Sequence, residues 1–155
     1  MHVPTSHALA TAAKDHLANA HPSSFARLQG RRILVLDDDP LAAVIASLDL
    51  EDADAPFMLV HDEASALAAL DHAIVAGAPF QAAVLDVNLG MGRTSQPVAE
   101  RLRAMDVPFV MHTAEPEAVA GDPARWASAF GGDVVVVGKP APAGALVDAL
   151  ASVLS

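Results

Sequence analysis

From Arg31 onward, short apolar runs alternate with stretches whose apolar residues recur every three or four positions. The runs are ILVL from position 33, FMLV from 57, AAVL from 82, PFVM from 108 and VVVV from 134. Continuous apolar runs, rather than strict alternation, suit strands covered on both faces. Between them lie helical stripes of the kind a helix turns toward a core. Leu41, Val44, Ile45 and Leu48 fall at i, i+3, i+4 and i+7. Leu67, Leu70 and Ile74 repeat the pattern, as do Val98, Leu102 and Met105, and then Leu146, Leu150 and Val153. Between 114 and 132, Pro116 and Pro123 interrupt it, which leaves a helix over 123 to 130 with Trp126 and Phe130 turned inward. Five strands alternating with five helices predict an α/β domain: a doubly wound, five-stranded parallel sheet with helices on both faces.

Residues 1 to 30 break this rhythm. They are rich in Ala, His, Ser and Pro, and a helix over Ala8 to Ala20 would have an apolar face made mostly of alanine. With few large side chains to offset the entropy of ordering, this segment is expected to be a mobile or loosely helical tail ahead of a domain over 31 to 155. Four of the seven histidines (His2, His7, His16 and His21) lie in it, at spacings too irregular to define a metal site.

Composition narrows the function. At 155 residues and 53% hydrophobic, the chain is long and apolar enough for one real core. It has no cysteine, which excludes disulfides and thiolate metal sites. No apolar run approaches the roughly 18 residues of a membrane span, and no secretory signal is visible, so a cytoplasmic location is expected. The formal charge is −10; residues 1 to 30 carry Lys14, Arg27 and Asp15, so the remainder carries −11. A surface of that sign argues against DNA as a partner.

The chemistry is expected where strands end, because ligands of such sheets bind beyond the carboxyl ends of the strands. The first run ends in Asp37, Asp38 and Asp39, the third in Asp86, the fourth at Thr113 and the fifth in Lys139-Pro140. Three acids in a row also suit a solvated turn, with Asp39 and Pro40 opening a helix. Together, however, Asp37, Asp38 and Asp86 make a hard oxygen site suited to Mg²⁺. A carboxylate can also act as a nucleophile toward phosphorus, while a cation, Lys139 and the Thr113 hydroxyl offset charge on the phosphoryl oxygens. Lys139 is one of only two lysines in the chain, which makes a merely solubilising role a poor account of it.

LVLDDDP, VLDVNLG, HTAE and GKP, in that order and spacing, resemble the receiver domain of two-component response regulators. The resemblance covers about residues 31 to 155 and is closest to receivers that stand alone or accompany hybrid histidine kinases. It implies the flavodoxin-like strand order 2-1-3-4-5. Asp86 would be the phospho-acceptor; Asp38 and Asp86 would ligate Mg²⁺ directly, Asp37 through water, and Asn88 through its backbone carbonyl. Thr113 and Lys139 would bind the phosphoryl group, and Asn88 and Glu115 would tune dephosphorylation. The donor would be a histidine kinase or phosphotransfer protein. Two chains could pair through the helix after the fourth strand, the fifth strand and the last helix.

Two positions depart from that pattern. Val136 stands three before the lysine, where relatives commonly carry an aromatic switch residue. LGMGRTSQP follows Asn88, where many have a Pro-containing turn ending in Asp-Gly. The expectation is a single-domain phosphorelay protein, catalysing only its own phosphorylation and dephosphorylation, with no output domain after the last helix. RLQGRRILVLDDD also resembles a linker leading into a receiver, as in a larger kinase. Two rival readings are a receiver-like adapter that is never phosphorylated and a Mg²⁺-dependent phosphohydrolase. Such hydrolases place an acid two residues after the nucleophile, where this chain has Asn88.

Overall fold

In the computed structural model, residues 20–116, 121–131 and 134–154 are described. The expectation for residues 1 to 19 lies outside them. Helix α1 (Pro22–Leu28) is followed by strand β1 (Ile33–Leu36), α2 (Pro40–Asp52), β2 (Phe57–Val60), α3 (Glu63–Val75) and β3 (Ala82–Leu85). Then come α4 (Gln96–Ala104), β4 (Phe109–Thr113), α5 (Pro123–Phe130), β5 (Val135–Gly138) and α6 (Ala145–Val153). All five strands pair in parallel in the order β2-β1-β3-β4-β5. Ile33 stands beside Phe57 on one side and Ala82 on the other, so β1 and β3 are central. Each apolar run of the sequence is a strand, and the strand order is the one the resemblance implies.

Two cores follow from strand geometry, since successive side chains point to opposite faces. Ile33, Val35, Val84 and Val110 pack with α1, α2 and α6 through Leu28, Leu50, Leu146 and Leu150. Leu34, Leu36, Leu85 and Met111 pack with α3, α4 and α5 through Leu70, Leu102 and Phe130. The edge strands are less enclosed: Met58 of β2 is exposed and β5 is half-buried throughout. Phe130 is buried, and Trp126 stacks on it at 5.0 Å between ring centroids while staying half-exposed.

Helix starts are set by short polar side chains that accept the otherwise unpaired first N–H groups. Asp39 caps α2, its Oδ1 accepting the Leu41 N–H at 2.9 Å, with Pro40 at the first helical position. Asp62 does the same for α3 at Ser65 (2.7 Å).

Two sequence expectations are revised. Leu41, Val44, Ile45 and Leu48 do not face the core; they are exposed, Leu41 to 68% and Ile45 to 58%. Ala43, Ala46, Ser47 and Leu50, which repeat the same spacing two positions later, are the buried stripe. Small residues let α2 lie close to the sheet, and a helix apolar on both sides gives periodicity no way to choose between them. Likewise Ile74 of α3 is half-exposed. Residues 22 to 28, read as tail, form α1, which lies against α6 with Leu28 fully buried and Arg27 Nη1 donating to the Ala151 carbonyl at 3.2 Å. Among the described residues no helix is long and apolar enough to cross a membrane.

Candidate functional site at the carboxyl edge of the sheet

β1 and β3 are neighbours, so the residues that follow them emerge side by side. The Asp37 N–H donates to the Val60 carbonyl (3.1 Å) and the Asp86 N–H to the Leu36 carbonyl (2.8 Å), which carries the ladder one residue past each strand. Asp37 and Asp86 are buried and Asp38 is exposed. One oxygen from each of the three carboxylates lies within 4.8 Å of the others. Gly90 gives the loop after β3 its left-handed turn at φ 79°, and a Cβ there would be in ordinary contact with Asp38 Oδ2 at 3.5 Å.

Lys139 reaches this cluster from the far end of the sheet. Its Nζ donates to Asp37 Oδ2 at 2.6 Å and lies 3.2 Å from Asp86 Oδ2. The other Asp37 oxygen accepts the Asp39 N–H at 2.9 Å. Burial pushes the Asp86 carboxyl up to about 7; the Lys139 charge opposes this and the Asp37 charge adds to it. Burial works against the Lys139 ammonium, yet its bonds and attractions to Asp37 and Asp86 outweigh that and hold its pKa above the ordinary value. Three carboxylates and one ammonium leave an excess of two negative charges, an all-oxygen donor set that fits a hard divalent cation.

Thr113 is buried at the end of β4. Its carbonyl accepts the Lys139 N–H at 2.8 Å, tying the ends of β4 and β5 together, and its Oγ1 accepts the Glu115 N–H at 3.2 Å. The side chains of Glu115 and Asn88 are exposed, and both line a cavity of about 230 Å³ with Thr94, Arg125 and Trp126. Asn88 pairs with Thr94 in an isolated antiparallel bridge that closes the loop after β3. The structure therefore joins Asp37, Asp38, Asp86 and Lys139 in one cluster, with Thr113 linked to it through the Lys139 backbone and Asn88 and Glu115 beside it.

Sequence reasoning missed His112. It is buried one residue before Thr113, and its Nε2 has no hydrogen-bond partner among the described residues. Burial, and then the Lys139 charge, lower its pKa to about 4. The only signal was a histidine inside an apolar run.

No family model matches the chain, and none of the curated proteins does. Solved structures do. A response regulator receiver protein from Sinorhizobium medicae is 25% identical at a TM-score of 0.65, over 82% of this chain and 96% of that one. The response regulator PhyR from Brucella abortus is 19% identical at a TM-score of 0.65; 96% of this chain matches 54% of it, so the chain spans about half of PhyR. The receiver domain of the Arabidopsis thaliana histidine kinase CKI1, complexed with Mg²⁺ and BeF₃⁻, is 18% identical at a TM-score of 0.50, over 60% of this chain and 72% of that one. With its strand order and strand-end residues, the chain has the fold of receiver domains and is similar to receivers of the response-regulator type.

Proposed function

We propose that this receiver accepts a phosphoryl group on Asp86, from the phosphohistidine of a histidine kinase or phosphotransfer protein, and signals through protein contacts. The observation that carries the reading is Lys139 Nζ bridging Asp37 and Asp86 beside a three-carboxylate cluster. In the transfer, an Asp86 carboxylate oxygen attacks phosphorus and the phosphorus–nitrogen bond of the donor breaks. Its electron pair leaves with the imidazole, which takes a proton from solvent. Asp38, Asp86 and the Asn88 carbonyl would hold Mg²⁺, with Asp37 contributing through water. The bound cation supplies neutralisation of charge on the phosphoryl oxygens. Lys139 neutralises a further oxygen as it gives up Asp86, and the Thr113 hydroxyl donates to another. Asn88 and Glu115 flank the approach of water and so set the lifetime of the acyl phosphate. The Mg²⁺ and BeF₃⁻ held by the CKI1 receiver agree with this assignment.

The test is incubation with a small acyl phosphate and Mg²⁺, followed by intact mass measurement. One added phosphoryl group, absent in Asp86→Asn, is expected. No adduct favours the adapter reading, which Val136 at the usual aromatic position permits. Turnover of donor without adduct favours a hydrolase.

A further inference from the structure

On β4, Val110 packs in the core shared with α2 and α6, and His112, two residues on, stands on the same face of the sheet. There it lines a cavity of about 320 Å³ between α2 and the start of α6. Ile45, an exposed residue of α2, lines the same cavity, so the space leads from the surface to the buried face of β4. Ala42, Ala46 and Leu146 give it small or apolar walls. Its volume lies at the lower end of the range of small-molecule sites.

One polar atom in these walls is unlike the others. His112 is 5% exposed, and its Nε2 has no hydrogen-bond partner among the described residues. Leaving such an atom unpaired is costly, and a ligand that pairs it removes the cost. The other polar groups at the cavity are engaged elsewhere. Asp49 Oδ2 accepts the Gly144 N–H at 3.1 Å, and Asp39 Oδ1 accepts the Leu41 N–H at 2.9 Å. Lys139 Nζ is held by Asp37 and Asp86. One water, with a share of about 30 Å³, would satisfy the nitrogen and leave most of the apolar space unfilled.

We infer that this cavity is a binding site for a small, uncharged, mostly apolar molecule with one hydroxyl group, which pairs with His112 Nε2. Burial holds the imidazole neutral at pH 7. A hydroxyl both donates and accepts, so it matches either tautomer. Asp39 and Asp49 in the walls disfavour an anion, and desolvating a charge of either sign beside Ala42, Ile45 and Leu146 is costly. Binding there does not depend on phosphorylation of Asp86.

Three probes separate these requirements: p-cresol has an aromatic body and one hydroxyl, toluene lacks the hydroxyl, and p-toluate carries a carboxylate in its place. Titrated into the full chain and followed by amide NMR, p-cresol should bind with a dissociation constant on the order of 0.1–1 mM. The shifts should centre on α2, His112 and residues 139 to 146, and p-toluate should cause none. His112→Leu should weaken p-cresol about tenfold while toluene binds at least as tightly as to the parent. Ala42→Phe, at a partly buried position of α2, sets a ring in the cavity and should abolish binding of both. The dispersed sheet amides report that each variant is folded. No shift with p-cresol well above that concentration, or shifts centred elsewhere, would overturn the inference. So would equal weakening of p-cresol and toluene in His112→Leu, binding that survives Ala42→Phe, or p-toluate binding as tightly as p-cresol.

Discussion

Lys139 Nζ is bound to Asp37 at 2.6 Å, across 102 residues of sequence, and stands farther, at 3.2 Å, from the proposed acceptor Asp86. The lysine is thus committed first to a residue that stays a carboxylate throughout the proposed transfer. Asp37 anchors the ammonium in the buried edge, and Asp86 can exchange its share of the lysine for a phosphoryl oxygen without setting it free. Removing one partner of such a buried pair leaves the other charge uncompensated. Lys139→Ala should therefore cost about 2–4 kcal/mol at neutral pH. Denaturant midpoints should show the deficit shrinking as the pH falls through about 7 and Asp86 protonates; a loss independent of pH would point to packing instead.

Asp86→Asn should abolish phosphorylation and leave the fold as stable or more so. The folded pKa of Asp86 is about 7 against an ordinary 3.8. The folded state binds more protons between these values, so the favourable contribution of this group is complete below about 4 and lost as the pH rises through about 7. The asparagine variant does not suffer that loss. Its stability relative to the parent should match near pH 4 and exceed it by about 1–2 kcal/mol above pH 7, measured without Mg²⁺. A variant less stable at pH 8 than at pH 4, relative to the parent, would contradict burial, with the Asp37 charge adding to it, as the cause of the raised Asp86 pKa.

The excess of negative charge should draw in a divalent cation, and Lys139, already held by Asp37 and Asp86, should compete with it and keep the affinity modest. Mg²⁺ at ten times its dissociation constant should stabilise the fold by about 1.4 kcal/mol. Asp38→Ala should erase that gain at little cost in intrinsic stability, since Asp38 is the exposed member of the cluster. Melting temperatures across a Mg²⁺ series decide it: a parent protein indifferent to millimolar Mg²⁺ removes the cation site.

His112 predicts the opposite kind of pH dependence. Its pKa falls from 6.5 to about 4 on folding, so the unfolded chain binds its proton first, and stability is lost as the pH drops from about 6.5 through 4. His112→Leu removes an unpartnered buried nitrogen and that proton uptake together. It should raise stability by about 1 kcal/mol at pH 7 and by more at pH 5, as read from thermal melts at the two pH values.

These residues mark the limits of reading the chain without its structure. Runs such as ILVL and AAVL were legible as strands because β1 and β3 are covered on both faces and so carry no polar position. Asp37, Asp38, Asp86 and Lys139 were legible because a parallel sheet brings all its strand ends to one edge, whatever their separation in sequence. α2 was legible as a helix, but not in orientation. Its buried Ala43, Ala46 and Leu50 and its exposed Leu41, Ile45 and Leu48 have the same period, and only packing against the sheet selects between them. His112 could not be placed because nothing local separates a histidine facing a helix-lined cavity from one facing solvent. α1 was missed because its burial, through Ser24, Leu28 and the partly buried Phe25, is against a helix distant in sequence, α6.

The last prediction concerns how a phosphoryl group on Asp86 would be read out. The Thr113 Oγ1 accepts the Glu115 N–H at 3.2 Å, so a hydroxyl drawn toward the phosphoryl group gives up the bond that holds the next segment. Pro116, the residue after Glu115, lies against β5: a Cβ on Gly138 would stand 3.0 Å from Pro116 Cγ. Val136 offers no alternative route. It is branched at Cβ and has few rotamers, so it cannot expose or bury a large surface by turning as an aromatic ring would. A phosphoryl contact worth about 1–3 kcal/mol is enough to reorder a stretch interrupted by Pro116, Gly121 and Pro123. Phosphorylation should therefore alter amide exchange mainly between Ala114 and Arg125, with β5 little changed. Thr113→Ala should abolish that response while Asp86 still accepts phosphate, and Val136→Ala should leave it nearly intact. Exchange measured with and without the small phosphodonor separates the outcomes: changes centred on β5, with 114 to 125 silent, would rule this route out.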